Sequence, residues 1–426
     1  MTEPLRATIA SVGARGDGVA DGPDGPIYVP FTVPGDTVDL RVTERGRHGA
    51  RGELVRLISG GPDRVEPVCQ HFGACGGCAL QHMAGDVYGG WVVERVRAAL
   101  GHHGLGDVPV AEPAVSPPGS RRRVVLKALH AGRGVVLGFT ERSSRRIVDL
   151  DHCPVARPAL VDLLRPLRRL LATVLPSRAP ATVALTETAT GIDAVIAARM
   201  DLSVDARMAL AAFAADQDLA ALHWDGDGQP EPVAIRRQPV VPLGEVSVPL
   251  PPGAFVQATA EGEAALVAAV ADAVGHADAV GHADAIADLF AGLGTFTFPL
   301  ARTAKVLAVE GAKAAADALA SAARAAGLSG VACQHRDLFR RPLPPDELNR
   351  YDAVVFDPPR AGARDQAAAL AASAVPVAVA VSCNPNTFAR DARLLVNGGY
   401  RLERVLPVDQ FLWSGQVELV ASFRRG

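Results

Sequence analysis

The chain is poor in the residues that mark several protein classes. Six cysteines in 426 residues are too few for a disulfide-dense scaffold. Only three lysines occur (Lys127, Lys305 and Lys313), so the 43 basic residues are almost all arginine. With the alanine richness, this imbalance reads as the codon bias of a GC-rich genome, and total arginine says little about nucleic acid. The net charge of −3 argues neither for nor against an RNA partner; its distribution matters more. No uninterrupted apolar stretch is long enough to span a bilayer. No secretory n-region and h-region opens the chain. A soluble, cytoplasmic protein without a membrane partner is therefore expected, as a monomer. Hydrophobic residues make up 49%, ample for cores, and the length suggests about two to four domains.

Three of the few cysteines lie together in CQHFGACGGCALQHM (69–83): Cys69, Cys75 and Cys78. A reducing compartment disfavours a structural disulfide there and favours metal binding or catalysis. The residues alone leave zinc and an iron–sulfur centre both open, with His71 and His82 as competing ligands.

Three regions follow from the pattern. Residues 1–60 hold short β-prone runs, Ala7–Val12, Gly25–Val33, Thr37–Thr43 and Gly52–Leu57, separated by Gly, Pro and Asp turns. Such spacing predicts a small OB-like barrel. Residues 61–245 form a mixed α+β region. It holds the cysteine group, a helical stretch over 87–104 and basic strands over 121–150. The basic run reads equally as a solvated sheet face or as a surface for RNA. Residues 246–426 alternate strands with alanine-rich helices, which predicts an open, doubly wound parallel sheet. The tandem VGHADAVGHADA (274–285) reads as a duplicated surface linker; no further ligand spacing supports metal there.

The last region carries chemistry-bearing residues at strand ends. In DLFAGLGTFTFPLA (288–301) a strand leads through Gly292 and Gly294 into a helix, a turn that lets backbone N–H groups approach a ligand. Without a third glycine this is a weak dinucleotide signature. Glu310 ends the next strand and suits a ribose's two hydroxyls. Asp337 ends the third and could meet an adenine amino group. Helix capping is the plain alternative for these acids. Asp357 in FDPPRAG is stiffened by two prolines and suits the N–H edge of a flat heterocycle. Cys383 in VSCNPNTFARD sits between an apolar strand and an Asn-Pro turn, as a nucleophile would. Glu418 opens a final apolar strand, where burial would tune it for proton transfer.

Together, DLFAGLGTF, FDPPRAG, VSCNPNTFARD and QVELV resemble the RNA uracil-5-methyltransferase family, in the same order and spacing. PPGAFVQATAEGEAAL (251–266) matches as well, and with residues 1–60 and the four cysteines upstream the likeness covers nearly the whole chain. The resemblance implies a Rossmann-like S-adenosylmethionine methyltransferase domain at 246–426 and a TRAM barrel at 1–60. It implies Cys383 as nucleophile toward uracil C6 and Glu418 as the base that removes the C5 proton. It implies Gln257, Phe290, Glu310 and Asp357 as cofactor contacts, with Thr295 and Asp337 as weaker ones. Cys69, Cys75, Cys78 and Cys153 resemble the four-cysteine [4Fe–4S] site of the subgroup acting on 23S ribosomal RNA, zinc being the weaker alternative. A structural role is then expected for the cluster, and a flipped target uridine for the substrate. Gln416 departs from the family, which commonly has His there, and Asn386 stands where a small residue is common. Three rivals are weighed. The missing third Gly and the Asp-Pro-Pro and Ser-Cys-Asn-Pro loops count against an iron–sulfur oxidoreductase, and a non-catalytic RNA-binding protein leaves the Cys–Glu pair and the cofactor acids unexplained. A radical S-adenosylmethionine enzyme would use C-x3-C-x2-C, whereas the first spacing here is five. Transfer RNA is the alternative substrate.

Overall fold

The structure, a computed structural model, describes residues 4–132, 134–275 and 283–425. Most of the tandem repeat, residues 276–282, therefore lies outside the described residues.

The first five strands are β1 (Leu5–Val12), β2 (Gly18–Gly22), β3 (Gly25–Val29), β4 (Thr37–Gly46) and β5 (Gly49–Ser59). They close into a barrel in the order β1-β2-β3-β5-β4. Alternate residues point inward, and Ile9, Ala20, Ile27, Val29, Val38 and Leu40 fill the small core. Strand β2, GVADG, has no run of β-branched residues to announce it. The exit from the barrel is pinned by Asp36, which is fully buried. Its carboxylate accepts from the Val33 and Gly61 N–H groups, both at 2.8 Å, and from Arg64 Nε at 2.9 Å.

The chain then runs through the cysteine loop into a helix, Gly85–Gly101. The helix buries Tyr88, Trp91, Val92, Val96, Ala99 and Leu100 along one side. That side shares a core with Phe388, Leu395 and Phe423 from the end of the chain. Next, β6 (Ala114–Val115) adds to the sheet of the last third. The middle region is thus not confined to a sheet of its own.

Its own sheet has six strands: β7 (Arg123–Ala131), β8 (Gly134–Gly138), β9 (Pro180–Thr188), β10 (Gly191–Ala197), β11 (Ala221–Asp225) and β12 (Glu231–Ile235). Their order is β12-β11-β10-β9-β7-β8. In β7 the odd and even residues divide: Val124, Leu126 and Ala128 are buried in a core with helices Leu164–Val174 and Val204–Asp216. The basic residues of β7 lie on the other face. A hairpin, β13 (Val240–Leu243) with β14 (Val246–Pro249), crosses the border expected at 245/246.

The last sheet contains β15 (Ala285–Leu289), β16 (Lys305–Glu310), β17 (Val331–His335), β18 (Ala353–Phe356), β19 (Val377–Ser382), β20 (Tyr400–Asp409) and β21 (Glu418–Arg425). The order is β17-β16-β15-β18-β19-β21-β20-β6. β15 to β19 are parallel, but β21 is antiparallel to both its neighbours, β19 and β20. The expected all-parallel sheet is thus corrected to a mixed one. No crossover helix separates β20 from β21, so the chain can only turn back antiparallel. The strand order reverses between β15 and β18, which opens a crevice at their carboxyl ends.

Arg64→Ala would leave the Asp36 carboxylate buried without its cation. We predict a loss of roughly 3 kcal/mol of stability, measured by urea unfolding.

Candidate active site

Register decides what meets at the crevice. Ser382, the last residue of β19, pairs with Leu419, and β21 begins one residue earlier at Glu418. Cys383 directly follows Ser382. The antiparallel β21 therefore brings its first carboxylate beside the thiol that leaves β19. Asp357 follows β18, the other neighbour of β19, and joins them.

The Cys383 loop is held by its surroundings. Pro385 starts the helix Pro385–Asn397, and Asn384 caps it by accepting from the Asn386 N–H at 3.2 Å. Asn384 Nδ2 and Thr387 Oγ1 donate to the Arg360 carbonyl at 3.1 and 3.2 Å, fastening this loop to the Asp357 loop. Gly362 (φ 77°) lets that loop lie against Asp391, which accepts from the Ala363 N–H at 2.8 Å. The small residue absent at Asn386 has no visible cost, since its backbone completes the cap.

Charge in the crevice is one-sided. Burial pushes the Cys383 thiol up, the Glu418 and Asp357 charges push it further, and Arg360 opposes them. Glu418 is raised to about 7 by burial, against a hydrogen bond from Gln410 that lowers it. Asp357 is raised well above the usual carboxylate range by burial, then by Glu418 and Asp288. Asp288 is fully buried and is raised to about 7 by burial. Thr297 Oγ1 donates to its Oδ2 at 2.5 Å, and its Oδ1 has no partner among the described residues.

The glycine turn after β15 fits a bound nucleoside cofactor. Gly292 has φ 56°, and a Cβ there would meet nothing within 4 Å, so its outer side is open. Gly294 (φ 99°) must be glycine, because a Cβ would strike the Phe298 ring at 2.6 Å. Glu310 accepts from the Gly292 N–H at 2.8 Å and the Ala312 N–H at 2.6 Å, which locks the turn. Phe290, at φ 62°, packs against Phe339 with ring centroids 5.5 Å apart, and Phe339 is 51% exposed. Asp337 lies two residues beyond β17 and accepts from the Phe339 and Arg340 N–H groups at 3.0 and 3.3 Å. It therefore shapes the turn carrying Phe339, as the capping alternative has it. Thr295 is half-buried in the turn and has no side-chain hydrogen bond among the described residues.

Gln257 is buried beside these elements. Arg122 Nε donates to its carbonyl at 3.0 Å and Arg122 Nη2 to Glu263 at 2.6 Å, so the middle region positions it. Reading the sequence missed Arg122 and, above all, Gln410, which lies between Gln257 and Glu418. Gly262, in the first turn of the helix Ala260–Gly275, is the signal available: a Cβ there would meet the Gln410 Cβ at 2.7 Å.

The four cysteines of the proposed cluster are free thiols, partly buried, in reach of one another's charge. Burial raises Cys75 and Cys153 and pushes Cys78 up to about 12. The Gly77 N–H donates to Cys75 Sγ at 3.4 Å. His82 is buried against Phe31 and Phe72, and His71 pairs with Asp151 at 2.9 Å. Among the described residues no group of three or more His, Cys, Asp or Glu side chains is gathered closely enough to hold a metal ion. Four thiols suit an all-sulfur site in chemistry, with a cation replacing their protons. The cysteine loop also touches the loop before Glu418: the Ala79 and Leu80 N–H groups donate to the Trp413 carbonyl at 2.7 and 3.0 Å.

Residues 249–423 match the family model described as tRNA (uracil-5-)-methyltransferase. The chain is 46% identical to an uncharacterized RNA methyltransferase of Brucella suis biovar 1, over 98% of this chain and 97% of that protein. It is 34% identical to the 23S rRNA (uracil(1939)-C(5))-methyltransferase RlmD of Alkalilimnicola ehrlichii, over 99% of this chain and 97% of the relative. In fold it is similar to the Pyrococcus abyssi tRNA (uracil-54, C5)-methyltransferase solved with S-adenosyl-L-homocysteine. The TM-score is 0.77 at 24% identity, covering 98% of this chain and 100% of the other.

Because the thiolate is the reactive form, removing the opposing cation should slow Cys383. Arg360→Ala is predicted to reduce alkylation of Cys383 by iodoacetamide about threefold at pH 8, with the gap closing in high salt. Mass spectrometry of the Cys383 peptide measures it.

Proposed function

The chain belongs to the RNA uracil-5-methyltransferase family, and on that premise we propose that it makes 5-methyluridine in 23S ribosomal RNA through a covalent adduct on Cys383. The observation that carries the reading is the β19–β21 register, which sets Cys383 and Glu418 side by side at the strand ends.

The Cys383 thiolate adds to C6 of the uracil, forming an S–C6 bond and moving the electron pair to C5 and O4. S-adenosylmethionine supplies the sulfonium methyl group that C5 takes, leaving as S-adenosylhomocysteine. Glu418 accepts the C5 proton, the electrons restore the C5–C6 double bond, and the S–C6 bond breaks. Asp357 binds the ring edge and borders the cofactor. Glu310 would take the ribose hydroxyls, and Phe290, Thr295, Asp337 and Gln257 would line the cofactor. The cysteine site is not part of this sequence of steps.

The target uridine must leave its stack to reach Cys383, since the thiol is half-buried at the strand ends beside buried Glu418. Full-length similarity to a 23S rRNA enzyme supports ribosomal RNA, and hence a cytoplasmic site of action. The barrel and the basic face of β7 then take the RNA backbone. Cys69, Cys75, Cys78 and Cys153 are the residues that would hold a [4Fe–4S] cluster, which would supply a structural tie and no step of the methyl transfer.

Cys383→Ala is expected to abolish methylation and the trapped complex with 5-fluorouridine RNA. Glu418→Gln should still form the methylated adduct on uridine RNA but release it at least about 100-fold more slowly. A Cys383→Ala enzyme with normal turnover overturns the nucleophile. Mapping 5-methyluridine by mass spectrometry in ribosomal and transfer RNA from a deletion strain decides the substrate. Anaerobic reconstitution should give a brown protein with about four irons per chain, and zinc in their place would refute the cluster.

A further inference from the structure

The base Glu418 does not stand alone in the crevice. Gln410, at the turn after β20, is 1% exposed and has all its amide hydrogens engaged. Its Oε1 accepts from the Ala258 N–H at 2.8 Å, and an N–H donor requires an oxygen, so the amide cannot be reversed. One Nε2 hydrogen goes to Gln257 Oε1 at 2.6 Å. The other goes to Glu418 Oε2. A single buried amide thus spans a residue of the cofactor's wall and the base.

We propose that Gln410 is a positioning residue for proton abstraction: it holds one oxygen of Glu418, leaves Oε1 as the proton acceptor, and couples that carboxylate to Gln257. The inference rests on the methyltransferase reading above. The Gln257 amide is oriented in the same stroke. Its oxygen is taken by Gln410, so its NH2 is the group left to donate, and the cofactor's carboxylate is the acceptor chemistry that such a donor fits.

The arrangement also divides the charge between neighbouring acids. Glu418 shares the crevice with Asp357, which in turn lies near Asp288, itself near Glu310; Cys383 meets the charges of Glu418, Asp357 and Arg360, and Asp409, next to Gln410, is a further buried acid held by Tyr88. Two crowded carboxylates do not both ionise readily. Glu418 has the Gln410 donor, whereas no side-chain donor reaches Asp357 among the described residues. A donor to the charged form favours it, so the negative charge rests on Glu418 and the proton on Asp357. Protonated Asp357 can then donate to the uracil carbonyl that gains charge when the thiolate adds, while Glu418 stays ready as base.

The test is single-turnover methylation with Gln410→Met, which keeps the length and removes the donors. Product release from the adduct is followed from about pH 5.5 to about pH 9. Without the donor, Glu418 holds its proton more tightly, so the acid limb should move up by about one pH unit. Affinity for S-adenosylhomocysteine, by calorimetry, should fall severalfold as Gln257 loses its anchor. Trapping of 5-fluorouridine RNA should persist, because fluorine at C5 leaves Glu418 no proton to take. An unshifted limb with unchanged S-adenosylhomocysteine affinity overturns the inference alone. A wild-type enzyme that neither methylates nor traps RNA overturns the methyltransferase reading and this inference with it. If thermal unfolding shows Gln410→Met to be misfolded, Gln410→Glu decides. It fills the same space and sets a carboxylate against Glu418, and its limb should move further up; an unmoved limb refutes the proposal.

Discussion

The site depends on one constraint of sheet geometry: β21 runs antiparallel into the slot between β19 and β20. A parallel strand there would present its carboxyl end at the crevice, and Glu418 would lie at the opposite edge of the sheet. Turning the strand over moves its first residue to the rim where β18 and β19 end. Asp357, Cys383 and Glu418 then come from the ends of three adjacent strands without any long loop to position them. Slipping the register by one residue would also turn the carboxylate to the other face of the sheet.

Burial sets the electrostatics that follow. Asp288, Asp357 and Glu418 lie in a crevice where ionised carboxylates are poorly solvated, and all three hold protons at higher pH than free acids do. The thiol beside them is raised by the same crowding, with Arg360 as counterweight. A cationic methyl donor relieves this concentration of negative charge. The same crevice that hinders Cys383 from ionising in isolation therefore favours a positively charged partner.

Much of this could be read in the residues. Cys383, Asp357 and Glu418 stand at strand ends because apolar runs stop there, and the strand ends meet wherever a sheet is built. Asp337 accepts from its own loop's backbone, so capping and cofactor binding leave the same mark in the sequence. The antiparallel turn of β21 depends on the connection, and the one turn signal in segment 410–417, Ser414-Gly415, does not by itself set strand direction. Gln410 was invisible for a related reason. An amide gains importance only from partners at 257, 258 and 418, which no local pattern connects. The borders of the regions blurred similarly, since β6 joins the last sheet, while the helix Gly85–Gly101 packs on that domain, as a helix over 87–104 is expected to.

That helix has a consequence for how the protein is made. Its apolar side is completed by Phe388, Leu395 and Phe423, which the ribosome adds roughly 300 residues later. At about 5–20 residues per second, Trp91 and its neighbours wait tens of seconds for their partners. The barrel can close early on its own small core, but the largest core cannot form until synthesis is almost finished. A chain truncated before its last strand would keep Phe388 and Leu395 but lose Phe423, and part of this surface would stay uncovered.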